Sequence, residues 1–220
     1  MTIVAACGLL REARLIERTG LIAIAGGGDS RRLDHALDTA CVERAASAIL
    51  SIGLAGALAP GLRVGDVVIA GSSDSLVGWL RAVLPTAQSG PIVGQDVAAA
   101  TVAHKARLHA RTGAPAVDME SHIAARVAAR HGLDFAAVRV ISDDAESALP
   151  PAALAGMRID GGMALGAVLA SLARRPAQLP ALIRTGVAAG RAFASLRRAL
   201  GALEAHGIGR LDLRELGLDV

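Results

Sequence analysis

Short apolar runs alternate along this chain with stretches whose apolar positions recur every three or four residues. That change of period marks strands separated by amphipathic helices. Residues 2–7 and 21–25 predict strands, and residues 31–46 a helix with Leu33, Ala36, Leu37 and Ala40 on one face. Residues 48–52 and 64–70 are runs of strand length joined by a Gly- and Pro-rich loop. Further on, 91–93 and 115–117 predict short strands, 97–111 and 119–131 helices, and 135–142 another strand. Strands that are apolar throughout and alternate with helices are buried on both faces, which predicts an α/β fold with a mostly parallel sheet covered on both sides. No linker-like stretch interrupts the pattern, so one domain is expected over residues 1–220.

Charge changes the picture towards the C-terminus. Residues 161–203 contain no acidic residue but six arginines: Arg174, Arg175, Arg184, Arg191, Arg197 and Arg198. Removing these six charges from the net +3 of the whole chain leaves −3 elsewhere. Ile183, Val187, Phe193, Leu196, Leu200 and Leu203 suit long amphipathic helices, so 161–204 reads as a basic, mainly helical segment. Two readings stand: a packed terminal helix with a solvated basic face, or peripheral contact with anionic membrane through residues 174–198. Nucleic acid is not an expected partner, because Trp79, Phe135 and Phe193 are the only aromatics and offer no stacking platform.

A chain of 220 residues, 53% hydrophobic, is too long and too apolar for a disordered segment or a mini-protein. Cys7 and Cys41 have no CxxC partner, and the apolar start, residues 1–10, is too short for a signal peptide or a span. The apolar run at 159–173 stops at Arg174 and Arg175. A cytoplasmic protein is expected, peripheral at the inner membrane face under the lipid reading. The six histidines show no HxxxH or HExxH spacing, so neither a metal nor a cofactor is expected.

Three stretches could carry chemistry. GLAGALAPGLRVGD, residues 53–66, follows a strand, and its Gly53 and Gly56 permit close backbone approach to a ligand. VDMES, residues 117–121, sits at a strand-to-helix junction, where Asp118 can cap the helix or bind substrate and Glu120 gain from the helix dipole. VRVISDD, residues 138–144, ends a buried strand in two carboxylates, which raise each other's pKa when desolvated and suit a general acid. GGGDSRRL, residues 26–33, reads either as a turn and helix cap or, through Gly27, Gly28 and Arg31, as a phosphate site.

In this order and spacing the three motifs resemble the nucleoside phosphorylase family, and most closely its methylthioadenosine/S-adenosylhomocysteine nucleosidase branch. The similarity spans residues 2–144. CGLLREARLIER (7–18), GGGDSRRL, the ARTGA before VDMES, and ISDDAESALPPAALAGMR (141–158) look most like the hopanoid-associated phosphorylase subgroup. The resemblance implies a three-layer α/β/α sandwich around a mixed, mostly parallel sheet, and a homodimer that cleaves the N-glycosidic bond of an adenine nucleoside, adenosylhopane in that subgroup, with inorganic phosphate as a candidate co-substrate. It implies that Asp143 gives a proton to the purine N7, Glu120 holds the ribose hydroxyls, Met119 packs on the sugar, and Glu12 activates an attacking water. Glu12 also reads as an exposed acid in the first turn of a helix.

Two departures bear on mechanism and substrate. Where the family has a loop Ser this chain has Leu54, and where an aromatic sandwiches the purine it has only Ala98 and Ala99. Stacking a base on an aromatic is worth about 1–3 kcal/mol, so the binding energy must come from elsewhere. A large apolar 5' group could supply it at roughly 0.8 kcal/mol per buried CH₂. The alternatives are a hydrolytic methylthioadenosine/S-adenosylhomocysteine nucleosidase and a non-catalytic purine or lipid-surface binding protein.

Overall fold

The computed structural model describes residues 2–155, 162 and 164–211. The end of the motif-bearing stretch, residues 156–158, lies outside them, as do Gly161 and Met163 of the basic segment. Strand β1 (Thr2–Cys7) pairs in parallel with β2 (Ile22–Ala25) on one side and β3 (Ala46–Ala57) on the other. β3 pairs in parallel with β8 (Asp134–Asp143), which is antiparallel to β4 (Val67–Gly71), and β4 carries the short β5 (Gln88–Ser89). The resulting order is β2-β1-β3-β8-β4-β5. At the far end of β3, β7 (Ala116–Asp118) pairs antiparallel and carries β6 (Ile92–Gly94). The sheet is mostly parallel, as the apolar runs imply, and mixed, as the family resemblance implies.

Strand alternation sends successive side chains to opposite faces. Ile3, Ala5 and Cys7, with Leu50, Ile52, Val138 and Val140, face the layer formed by α1 (Leu10–Ile16), α3 (Asp74–Val83) and the second half of α8 (Leu179–Ala205). Val4, Ala6, Ile49 and Ala137 face α2 (Ser30–Glu43) and α5 (Ser121–His131), which bury Leu33, Leu37, Ile123 and Val127 there. A smaller cluster at the β7 end takes Leu108 from α4 (Val102–Thr112). Two more helices, α6 (Pro151–Ala155) and α7 (Leu165–Arg174), lead into α8.

The helix expected over residues 31–46 ends at Glu43, with Ala46 already in β3, the strand expected over 64–70 begins at Val67, and two further boundaries differ from the sequence pattern. Gly53 to Ala57 continue β3 rather than forming a loop, because β8 and β7 offer ladder partners there and pairing outweighs the low strand propensity of glycine. Residues 97–101 are not helical. The Thr101 hydroxyl accepts from the His104 amide at 3.2 Å, and this cap starts α4 at Val102. Residues 95–100 instead run across the end of β7, with the Gln95 amide donating to the Asp118 carbonyl and the Leu149 amide to that of Ala100.

Candidate functional site

β1, β3 and β8 lie side by side and parallel, and at their carboxyl ends the chain gathers buried charge, the usual place for a ligand in an open α/β sheet. Glu12 folds back from the first turn of α1. Its Oε2 accepts from the amides of Gly8 (2.9 Å) and Leu9 (2.8 Å), and its Oε1 from that of Leu54 (2.8 Å). It is 2% exposed, so it is not a surface acid of the helix. Burial pushes its carboxyl pKa up, against the pull of the Leu9 and Leu54 amides and of Arg139.

Arg139 enters from β8 and is fully buried. Its Nε contacts Asp118, its Nη2 lies 3.4 Å from Glu120, and it donates to the Ser51 hydroxyl at 2.6 Å. Asp118 also accepts from the Ser121 amide and hydroxyl, pinning the start of α5. Desolvation drives Glu120 up to about 8, with Arg139 opposing and Asp118 and Glu12 reinforcing. Three carboxylates thus converge around one guanidinium.

The glycines make this approach possible. A Cβ on Gly8 would stand 2.6 Å from Glu120 Oε1, and one on Gly53 would stand 2.7 Å from Arg139 Nη1 and 2.8 Å from Glu12 Oε1. Across the β3–β8 ladder Gly53 is the register partner of Arg139, and Gly56 that of Asp143.

Asp143 anchors a second group. Its Oδ1 accepts from the Ser142 hydroxyl (2.8 Å) and its Oδ2 from Lys105 Nζ (2.5 Å), while a Cβ on Gly56 would lie 3.1 Å from Oδ2. Lys105, fully buried on α4, also donates to the carbonyls of Asp144 (2.6 Å) and Ser147 (2.9 Å). The direct neighbour of the Asp143 carboxylate is therefore an ammonium, where the sequence pattern pointed to the Asp144 carboxylate.

Other predicted residues fall around these groups. Met119 follows Asp118, and its Cε would be 3.7 Å from a Cβ on Gly28, which brings the β2–α2 turn to the site. Ala99 is buried with Leu58, Leu108 and Val117, and Ala98 is half-buried beside it. In the glycine turn the Gly26 and Gly27 amides donate to the carbonyls of Cys7 and Gly8, and Asp29 caps α2 through the Arg32 amide. Arg31 is elsewhere: it lines a surface cleft of about 620 Å³ with Asp34, Asp38, Asp96, Arg126 and Arg130. Sequence reasoning assigned no role to Arg139, Lys105, Ser51 or Gly8. The signal for Arg139 was a lone charge inside an apolar strand, and for Lys105 its being the sole lysine of an arginine-rich chain.

The sheet and helix arrangement is that of the nucleoside phosphorylases and nucleosidases. The Phosphorylase superfamily profile matches residues 73–174, just under half of the chain. The 5'-methylthioadenosine/S-adenosylhomocysteine nucleosidase of Helicobacter pylori, solved with butyl-thio-DADMe-Immucillin-A, superposes with TM-score 0.68 at 15% identity, over 96% of this chain and 99% of its own. The S-adenosylhomocysteine nucleosidase of Streptococcus pyogenes, solved with 5-methylthiotubericidin, gives 0.57 at 22% identity over 66% and 85%. The futalosine hydrolase of H. pylori gives 0.59 at 17% identity over 65% and 88%. No curated protein matches the chain in sequence.

Proposed function

We propose that this chain is an enzyme that hydrolyses the N-glycosidic bond of an adenine nucleoside bearing a large apolar 5' group, adenosylhopane being the substrate suggested by the sequence resemblance. The observation that carries this reading is the spacing of the two charged groups on one strand. Gly53 meets the Glu12–Arg139–Glu120 group and Gly56 the Asp143–Lys105 group, the two glycines standing about 10 Å apart along β3 at roughly 3.3 Å per strand residue, across the register shift between Ala55 and Gly56. That separation suits a nucleoside lying along the strand end, with its sugar at the first group and its base at the second.

Glu12, held by three amides and made more basic by burial, takes a proton from water as the water oxygen bonds to C1'. The C1'–N9 bond breaks with its electron pair leaving on adenine. A proton passes from the Lys105 ammonium through the Asp143 carboxyl to N7, leaving a carboxylate and a neutral amine, and solvent returns a proton to Lys105 once neutral adenine has left. Glu120, when ionised, accepts from the ribose hydroxyls and steadies the cationic sugar.

Water is favoured over phosphate because five amides around Glu12 and the glycine turn are already engaged and Arg31 lines a separate surface cleft. Gly8, Leu9 and Leu54 donate to Glu12, and Gly26 and Gly27 to strand carbonyls. Adenine release measured on adenosylhopane, methylthioadenosine and adenosine, with and without phosphate, tests the proposal. The expected result is fastest turnover of adenosylhopane at a rate indifferent to phosphate, abolished by Asp143→Asn. Saturable dependence on phosphate would make the reaction phosphorolysis, and preference for methylthioadenosine would remove the lipid-linked substrate. Release from none of the three would favour a non-catalytic binding protein.

A further inference from the structure

We infer that the helical elbow formed by α7 and the first half of α8 is a docking surface for an anionic lipid bilayer, lying on the bilayer rather than through it. This elbow stands off the body of the protein. No residue of α7 is buried, and the buried residues of α8 begin only at Ala192. The corner is built, not loose: Gln178 Nε2 donates to the Ser171 carbonyl (2.7 Å) and hydroxyl (3.0 Å), and its Oε1 accepts from the Ala152 amide of α6 (2.9 Å).

The exposed side chains of the elbow are arranged in rows. Leu179, Ile183 and Val187 recur every four residues on α8 and are 46%, 57% and 53% exposed, and Leu165 and Leu169 of α7 are each 66% exposed. Residues four apart share a helix face, so these are apolar stripes left about half or more open to solvent. Arg184 and Arg191, seven apart and exposed, form a second row along the edge of the α8 stripe, and exposed Arg198 extends that row onto the outer side of the packed second half of α8, since a heptad drifts only about 20° around a helix.

Charge selects the occupant. Residues 161–203 carry no carboxylate, so a second copy packing this face against itself would set arginine against arginine. The partner must be anionic, and it must also accept bare Leu, Ile and Val side chains. A bilayer with acidic headgroups does both: the apolar stripe enters the acyl boundary while the arginines reach up to the phosphates. Among the described residues no helix is long and apolar enough to cross a membrane, which leaves the interfacial position.

The test is co-sedimentation of the full chain with phosphatidylcholine vesicles that contain or lack phosphatidylglycerol, a readout independent of turnover. Binding is expected only with phosphatidylglycerol, weakening as salt is raised. Reversing Arg184, Arg191 and Arg198 to Glu should lower the partition coefficient at least roughly a hundredfold, at about fivefold per basic residue near the surface. Leu169→Ser with Ile183→Ser should weaken binding while leaving its salt dependence. All five side chains are exposed or on an exposed face, so an unchanged thermal midpoint will show the variants folded. The inference is overturned if the wild type ignores phosphatidylglycerol vesicles at low salt, or if the arginine variant binds as well as the wild type. It is also overturned if the wild type is a dimer in solution that Ile183→Ser dissociates while neither form binds vesicles.

Discussion

Replacing Gly53 by Ala tests whether the first charged group acts as a unit. The added Cβ would sit 2.7 Å from Arg139 Nη1, 2.8 Å from Glu12 Oε1 and 3.0 Å from Glu12 Cδ, well inside ordinary contact. A flexible side chain would swing away, but neither neighbour is free to do so. Glu12 Oε1 is held by the Leu54 amide at 2.8 Å, the very next residue, and Arg139 is confined by Asp118, Glu120 and Ser51. Overpacking of this kind costs about 1–3 kcal/mol. For a chain of this size that lowers the melting temperature by about 2–12 °C. A shift of about 1 Å in a reacting group costs on the order of a hundredfold in rate, so kcat/KM for adenine release should fall about that far. Gly78→Ala is the control: it lies on the exposed side of α3, its Cβ would meet nothing within 4 Å, and it should gain about 0.5–1 kcal/mol with activity unchanged. A Gly53→Ala enzyme with wild-type melting temperature and kcat/KM within threefold of wild type would refute the reasoning.

Two further outcomes are expected. Arg139→Met leaves Asp118 and Glu120 without their shared cation and should destabilise the fold by about 3–5 kcal/mol in urea unfolding; a loss under 1 kcal/mol would mean the carboxylates do not depend on it. Glu120, raised from 4.5 to about 8, keeps a proton in the folded state that the unfolded chain has released, so its contribution to stability is complete below about pH 4.5 and is lost as pH rises through 8. Urea midpoints should therefore fall between pH 5 and pH 9, and fall less steeply in Glu120→Gln, the remainder coming from Glu12; identical slopes in the two proteins would contradict this.

Periodicity exposed the elements whose local and tertiary preferences agree. β1, β2, α2 and β8 lie close to where the apolar pattern puts them, because the same residues that set the period also fill the two core layers. It failed where tertiary pairing overrides local preference, as in Gly53 to Ala57, which read as a loop and extend β3. The site was legible only by motif. Glu12, Glu120 and Asp143 stood out by resemblance, but the cations that meet them sit on other elements, Arg139 inside the VRVISDD strand and Lys105 on α4, and no spacing rule links them to their partners. A buried cation is visible in a sequence only as an anomaly, and its partners become known when the strands are in register.

The facing of Gly53 with Arg139 and of Gly56 with Asp143 has a consequence for folding. Were β8 to slip by one residue against β3, Leu54 or Ile52 would stand opposite Arg139, and the guanidinium would be buried without the gap that lets carboxylates reach it. Leaving such a charge uncompensated costs several kcal/mol, a large part of the total stability of a domain. The residues assigned here to chemistry therefore also act as a proofreading device for strand alignment: a chain that mispairs its two longest strands is penalised electrostatically before it can settle.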